Sequence, residues 1–197
     1  MALALAQAGA DMVLLQRDMN NMETAKKIEE LGRKCQVVEC DLASREQTRG
    51  IAEKLSSLSI RPDILLNCGG IQRRAALENF TEEDWDEVIE VQLNSAWILS
   101  QGIGKLMLEA RKDKKLPRAK IINIASVLSF QGGYQTPAYV AAKHAAAGMT
   151  KAMANEWSSK GININGLAPG YVATELIAAL QKDETRSRQI MERVRES

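Results

Sequence analysis

The sequence predicts an α/β protein built on a doubly wound parallel sheet with helices on both faces. Helix-like and strand-like segments alternate from the first residue onward. The strand segments are short continuous apolar runs, as expected for strands buried on both faces. With 197 residues, 45% hydrophobic and 26% charged, the chain suits a single domain with a substantial core. Right-handed crossovers between parallel strands then lead to the doubly wound arrangement.

Residues 1–8 read as a helix that stops at Gly9. Residues 11–16 form a buried strand, followed by a loop from Arg17 to Asn21. Ala25, Ile28 and Leu31 lie at helical spacing within residues 23–31 and Gly32 follows, which marks an amphipathic helix. A strand over 35–40 runs into Asp41. Ser44-Arg45-Glu46-Gln47 has the pattern of a capping box and opens a helix to about residue 58. Pro62 and Asp63 introduce a strand over 64–66.

Thr81-Glu82-Glu83-Asp84 opens a further helix, which Trp85, Val88, Ile89, Gln92 and Ala96 extend at near-helical spacing to about residue 110. Ile121 to Ala125 is an apolar strand, and Pro137 starts another helix. The chain closes in a charged helical segment over 183–197. Ligands of parallel sheets bind beyond the carboxyl ends of the strands. Arg17, Asp41, Asn67 and Ser126 all fall at such ends.

The formal charge is +1, from 26 basic and 25 acidic residues, so nothing argues for nucleic acid or an anionic membrane. The apolar runs are too short for a membrane span, and residues 1–6 lack the pattern of a signal peptide. Cys35, Cys40 and Cys68 make neither a disulfide framework nor a metal-ligand cluster. Cys35 and Cys40 would point to opposite faces of one strand and read as buried thiols, with a reducing, cytoplasmic compartment as the default.

The chemistry concentrates between Ser126 and Lys143. Tyr139 and Lys143 stand one turn apart on one helical face, and Ser126 sits where the preceding strand ends. A phenol with an ordinary pKa near ~10 is a poor base at neutral pH, and a neighbouring ammonium favours the phenolate. Such a tyrosine can move a proton in carbonyl–alcohol chemistry while the serine hydroxyl bonds the reacting oxygen. The lone His144 reads as a packing or surface residue.

Together with Asn163-Ile164-Asn165-Gly166-Leu167-Ala168-Pro169-Gly170-Tyr171-Val172-Ala173-Thr174, these residues resemble the short-chain dehydrogenase/reductase family. The resemblance implies an oxidoreductase that uses NAD or NADP, with Ser126, Tyr139 and Lys143 as its catalytic core. It also implies that Pro169, Gly170 and Thr174 help hold the nicotinamide. Asn67-Cys68-Gly69-Gly70 stands where the family carries Asn-Asn-Ala-Gly, which places Asn67 and Gly70 near the cofactor; glycines after a strand also fit an ordinary turn. Asp41 matches the family's contact to the adenine region, although an Asp in that place is also a common turn cap. Gln92 replaces the usual asparagine that holds a water beside the lysine. Asn94 lies roughly 200° further round the helix. The pair Arg17-Asp18 contains both a partner for the NADP phosphate and a partner for the NAD ribose.

Ile71-Gln72-Arg73-Arg74, residues 121–133 and Met153-Ala154-Asn155-Glu156-Trp157 are similar, more narrowly, to the deoxygluconate dehydrogenase subgroup. That implies a sugar acid or small polyol as substrate. Arg73 or Arg74 then binds the carboxylate, or both are solvated loop residues. The resemblance further implies a dimer or tetramer, with apolar stripes containing Trp85, Trp97 and the alanines of 138–147 serving the contact or the core.

The family begins with a strand and a glycine-rich turn that approaches the pyrophosphate. This sequence is expected to start after them, and to stop before the last strand. The absent strand belongs between those at Val13 and Ile64, and its loss is expected to exceed the ~5–15 kcal/mol by which domains are stable. A truncated, catalytically silent member that acts only through subunit pairing is therefore the alternative reading.

Overall fold

A computed structural model of the chain describes residues 1–112, 118–172 and 188. Thr174 and the expected helix over 183–197 lie outside them, Arg188 excepted. The expected alternation is present as α1 (Ala2–Gln7), β1 (Met12–Gln16), α2 (Glu23–Glu30), β2 (Cys35–Glu39), α3 (Arg45–Ser57) and β3 (Ile64–Asn67). Then follow α4 (Glu82–Ile89), a π-turn (Glu90–Asn94), α5 (Ser95–Lys112), β4 (Ala119–Ile124), α6 (Pro137–Trp157) and β5 (Ile162–Leu167). Among the described residues no helix is long and apolar enough to cross a membrane.

All pairings are parallel. β1 pairs with β2 from Met12–Cys35 to Gln16–Glu39. β4 lies between β3 and β5, in a register that runs to Asn67–Asn123 on one side and Ile124–Leu167 on the other. The carboxyl ends of β3, β4 and β5 are thereby level, which brings Asn67, Ser126 and Pro169 to one rim.

The strands form two sheets, β1-β2 and β3-β4-β5. The facing edges of β1 and β3 border a cleft of about 870 Å³, lined by Val13, Leu15, Leu65, Leu66, Asn67 and Met149 among others. The break falls where the resemblance places a further strand, between Val13 and Ile64. A cluster of Val38, Leu55, Leu65, Leu99, Met107, Ile121 and Ile162 packs continuously beneath both sheets.

Ser44 caps α3 through its Oγ, which accepts the Gln47 N–H at 3.3 Å. Gln47 does not close the box back onto Ser44. Its Oε1 accepts the Asp41 N–H at 2.7 Å and so ties the end of β2 to the helix. Thr81 caps α4 in the same way, its Oγ1 accepting the Asp84 N–H at 3.1 Å.

The long helix expected from residue 81 is not uniform. Its π-turn is clamped by Glu90, whose carboxylate bonds Arg45 of α3 at 2.8 Å and accepts from Asn94 Nδ2 at 2.7 Å. Trp85 and Trp97 are 40% and 46% exposed, so they lie outside the core, whereas Ala138, Ala142 and Ala146 are buried in it. Of the cysteines, Cys40 is buried as expected, Cys35 is only partly buried, and Cys68 is exposed.

A chain of buried amides and hydroxyls crosses the three-stranded sheet. Asn67 Nδ2 donates to Ser100 Oγ of α5 at 2.9 Å and to Asn123 Oδ1 at 2.8 Å. Asn123 Nδ2 then donates to Thr150 Oγ1 of α6 at 2.9 Å, and that hydroxyl donates to the Ala146 carbonyl at 2.7 Å. Buried polar groups satisfied in series fix one arrangement of the helices against the strands.

Candidate active site

β4 delivers Ser126 in extended conformation, with φ −161° and ψ 161°, to the start of the short turn Val127–Ser129. Its Oγ accepts the Leu128 N–H at 3.1 Å. Pro137 starts α6, so Tyr139 lies in the first turn and Lys143 one turn further. Lys143 is 6% exposed; its Nζ donates to the carbonyl of Ile124 at 2.7 Å and stands 5.5 Å from the Tyr139 ring centroid. The three residues expected to act together are thus brought together.

The electrostatics differ from the sequence expectation. Burial pushes the Tyr139 phenol above its ordinary value, more than a hydrogen bond with the Ser126 side chain and the Arg74 charge draw it down. Burial also pulls Lys143 down to about 8, partly offset by the nearby Cys68 thiol. Desolvation dominates at both groups, because neither a phenolate nor an ammonium is well solvated beneath the rim.

Gln92 projects from the π-turn and is 5% exposed. Its Nε2 donates to the Ile71 carbonyl at 2.5 Å, and its Oε1 is buried without a protein partner. The amide packs on Gly70, where an added Cβ would stand 2.6 Å from Nε2 and 2.8 Å from Oε1. Glycine at 70 is therefore the space that Gln92 occupies. Asn94 turns to Glu90 instead.

The outlying residues sort themselves by partner. Asn67 supports the sheet and also lines the cleft beside Gln92, Cys68 and Lys143. Asp41 uses its Oδ1 to accept the Ala43 N–H at 2.9 Å, as a turn cap does. Arg17 is exposed beyond β1, while Asp18 Oδ1 accepts the Asn20 N–H at 2.9 Å. Arg73 forms ion pairs with Asp84 at 3.4 Å and Glu87 at 2.7 Å on α4. Arg74 acts on the Tyr139 phenol. The Pro169 carbonyl accepts the Val127 N–H at 3.1 Å, so the segment after β5 lies against the Ser126 turn. Gly170 follows in the open. His144 is exposed, with Nδ1 3.0 Å from the Val140 carbonyl.

Sequence reasoning missed Ser129, which is 5% exposed and bonds both the Ser126 turn and α6. Its signal was the spacing Ser126-x-x-Ser129, the length of a capping box.

A model of the family described as short chain dehydrogenase matches residues 1–185. The chain belongs to the short chain dehydrogenase family. Among short chain dehydrogenases it is 42% identical over 193 residues to the 2-dehydro-3-deoxy-D-gluconate 5-dehydrogenase of Bacillus subtilis, covering 98% of this chain and 73% of that enzyme. It is similar to a Beutenbergia cavernae protein described as an NAD(P) dependent gluconate 5-dehydrogenase, solved with NADP at low occupancy. That match has 40% identity and a TM-score of 0.90 over 98% of this chain and 74% of the other. A gluconate 5-dehydrogenase of Burkholderia cenocepacia, in complex with NADP and tartrate, matches at 36% identity and a TM-score of 0.86, covering 95% of this chain and 72% of that one.

Proposed function

We propose that the chain is a nicotinamide-linked oxidoreductase that interconverts a secondary hydroxyl and a ketone on a sugar acid. The observation that carries this reading is the convergence of Ser126, Tyr139 and Lys143 at the carboxyl end of β4, with Lys143 Nζ 5.5 Å from the Tyr139 ring centroid. Relatives named for deoxygluconate and gluconate support the substrate class.

The residues present fit the nicotinamide end of the nucleotide: the cleft runs past Asn67 and Lys143, and Gln92 Oε1 is a buried acceptor without a protein partner. Asn67, Gly70, Tyr139, Lys143, Pro169 and Gly170 would hold that half, and Arg17 and Asp41 stand at the adenine end. Arg17 is exposed while Asp18 is engaged in its own turn, which favours NADP over NAD. Bound NADP in structures of the relatives supports the same choice. When bound, the nucleotide supplies or accepts the hydride.

Tyr139, with its pKa raised by burial, starts as a neutral phenol and donates its proton to the carbonyl oxygen during reduction. Ser126 hydrogen-bonds the same oxygen as charge develops on it. Lys143, with its pKa near 8, stabilises the phenolate that remains. Gln92 offers its Oε1 to a water beside Lys143. Arg74, whose charge already acts on the Tyr139 phenol, takes the substrate carboxylate. The exposed Trp85 and Trp97 suit a face shared with a second copy in a dimer or tetramer. The free thiols suit a cytoplasmic enzyme.

Titration of the purified chain with NADH and NADPH, following nucleotide fluorescence and circular dichroism, tests this reading. Expected are tighter binding of NADPH and oxidation of gluconate-type acids that Tyr139→Phe abolishes. A folded chain that binds neither nucleotide would favour the silent, pairing relative.

A further inference from the structure

One hydroxyl joins the two ends of the site. Ser129 Oγ accepts the backbone N–H of Ser126 at 3.2 Å and donates to the carbonyl of Lys143 at 2.7 Å. The Ser126 side is held twice more, because Ser129 N–H returns to the Ser126 carbonyl at 2.9 Å and Leu128 N–H to its Oγ at 3.1 Å. Between Ser129 and α6 runs a loop that contains Gly132 and Gly133, with Gln135 at φ +57°. The hydroxyl bonds the Ser126 turn to the α6 backbone across that loop, and at 5% exposure water does not readily replace it.

We infer that Ser129 is a positioning residue that sets the separation of Ser126 from the helical turn bearing Lys143. Ser129 reaches no reacting atom itself. It holds α6 in the rotation and depth at which the Lys143 ammonium lies between the Ile124 carbonyl and the Tyr139 ring. Without it, the turn of α6 that bears Lys143 loses its tie to the Ser126 turn, although Asn123 still holds α6 further along at Thr150, and Lys143 trades its carbonyl anchor for water. This assignment rests on the functional reading above, and its test is chosen to separate the two.

The test uses the full chain and needs no nucleotide. The pH dependence of Lys143 acylation by acetic anhydride, read by peptide mass spectrometry, reports the ammonium's surroundings. The wild-type midpoint is expected near 8. Ser129→Ala is expected to raise it toward that of a solvated lysine, and Ser129→Thr, which keeps the hydroxyl, to bring it back. In the activity assay Ser129→Ala is expected to lower kcat by about tenfold to a hundredfold, with the nucleotide KM little changed. If Ser129→Ala fails to fold, Ser129→Cys, of similar size but a weaker bonding partner, is read in its place. A packing role alone would lower the melting temperature and leave the acylation midpoint where it was, and that result would overturn the proposal. A wild type inactive with every nucleotide would overturn the functional reading instead, while the acylation midpoints would still decide the role of Ser129.

Discussion

The ammonium of Lys143 is anchored 2.7 Å from the carbonyl of Ile124, the last residue of β4, so helix and strand share one buried charge. That anchoring sets a pH dependence of stability. The folded protein gives up the Lys143 proton near 8 and the unfolded chain near 10.5. Between these values the unfolded state binds more protons, so this group makes stability rise with pH; below about 8 the folded state bears the full cost of burying the charge. Urea unfolding of wild type and Lys143→Met across this range checks it. The stability of the wild type relative to the variant should increase from pH 8 to pH 10; a constant difference would contradict the buried ammonium.

Titration of the Tyr139 phenol tests the other half of the pair. Its midpoint should lie above the ordinary phenol value, because burial outweighs the Ser126 hydrogen bond and the Arg74 charge. Both Ser126→Ala and Arg74→Ala remove an influence that lowers it, so each variant should titrate higher still. Difference absorbance against Tyr139→Phe isolates this phenol. That control should also lose activity by ~10²–10⁴-fold while keeping its fold.

Gly70 and Gln92 are coupled sterically. A methyl group at 70 would stand 2.6 Å from Gln92 Nε2, so Gly70→Ala should push the amide off the Ile71 carbonyl and destabilise by about 1 kcal/mol, the worth of that hydrogen bond. In the background of Gln92→Ala the same change should be nearly neutral. A double-mutant cycle in urea measures this, and additive effects would show that the two residues do not compete for one space.

The two neighbouring arginines should separate cleanly. Arg74→Ala is expected to raise KM for sugar acids by roughly 10- to 100-fold, the worth of a charged hydrogen bond, and to leave KM for neutral polyols unchanged. Arg73→Ala should instead loosen the start of α4, where it meets Asp84 and Glu87, and cost no more than about 1 kcal/mol because the pairs are part-exposed. Steady-state kinetics on both substrate classes, with thermal melts, distinguishes them. An equal rise in KM for acids and polyols would remove Arg74 from carboxylate binding.

Much of the site was legible in the sequence because its signals are local. Tyr139 and Lys143 share a helical face by spacing alone, and the apolar run before Ser126 ends where the strand ends. Caps at Ser44 and Thr81 follow from side-chain chemistry within three residues. What escaped depends on partners remote in sequence. Nothing near Arg73 says that Asp84 and Glu87 will hold it rather than its neighbour. The π-turn over Glu90–Asn94 is a backbone feature inside a longer helix, and the near-helical spacing of Trp85, Val88, Ile89, Gln92 and Ala96 carries no mark of it. The phenol's shift was misjudged because spacing shows which charges are close, not how far each is removed from water.

The break between the sheets should leave a signature in amide hydrogen exchange. In parallel strands successive peptide groups point to opposite sides. Met12 N–H bonds the Lys34 carbonyl at 2.8 Å, so by alternation Leu14 and Gln16 also face β2, while Val13 and Leu15 turn toward the cleft. On the other side Lys120 N–H reaches the Asp63 carbonyl at 3.0 Å, so Leu65 and Asn67 face β4 and Ile64 and Leu66 turn back toward the cleft. Protection along β1 and β3 should therefore alternate residue by residue, slow at Leu14 and Leu65 and fast at Leu15 and Leu66.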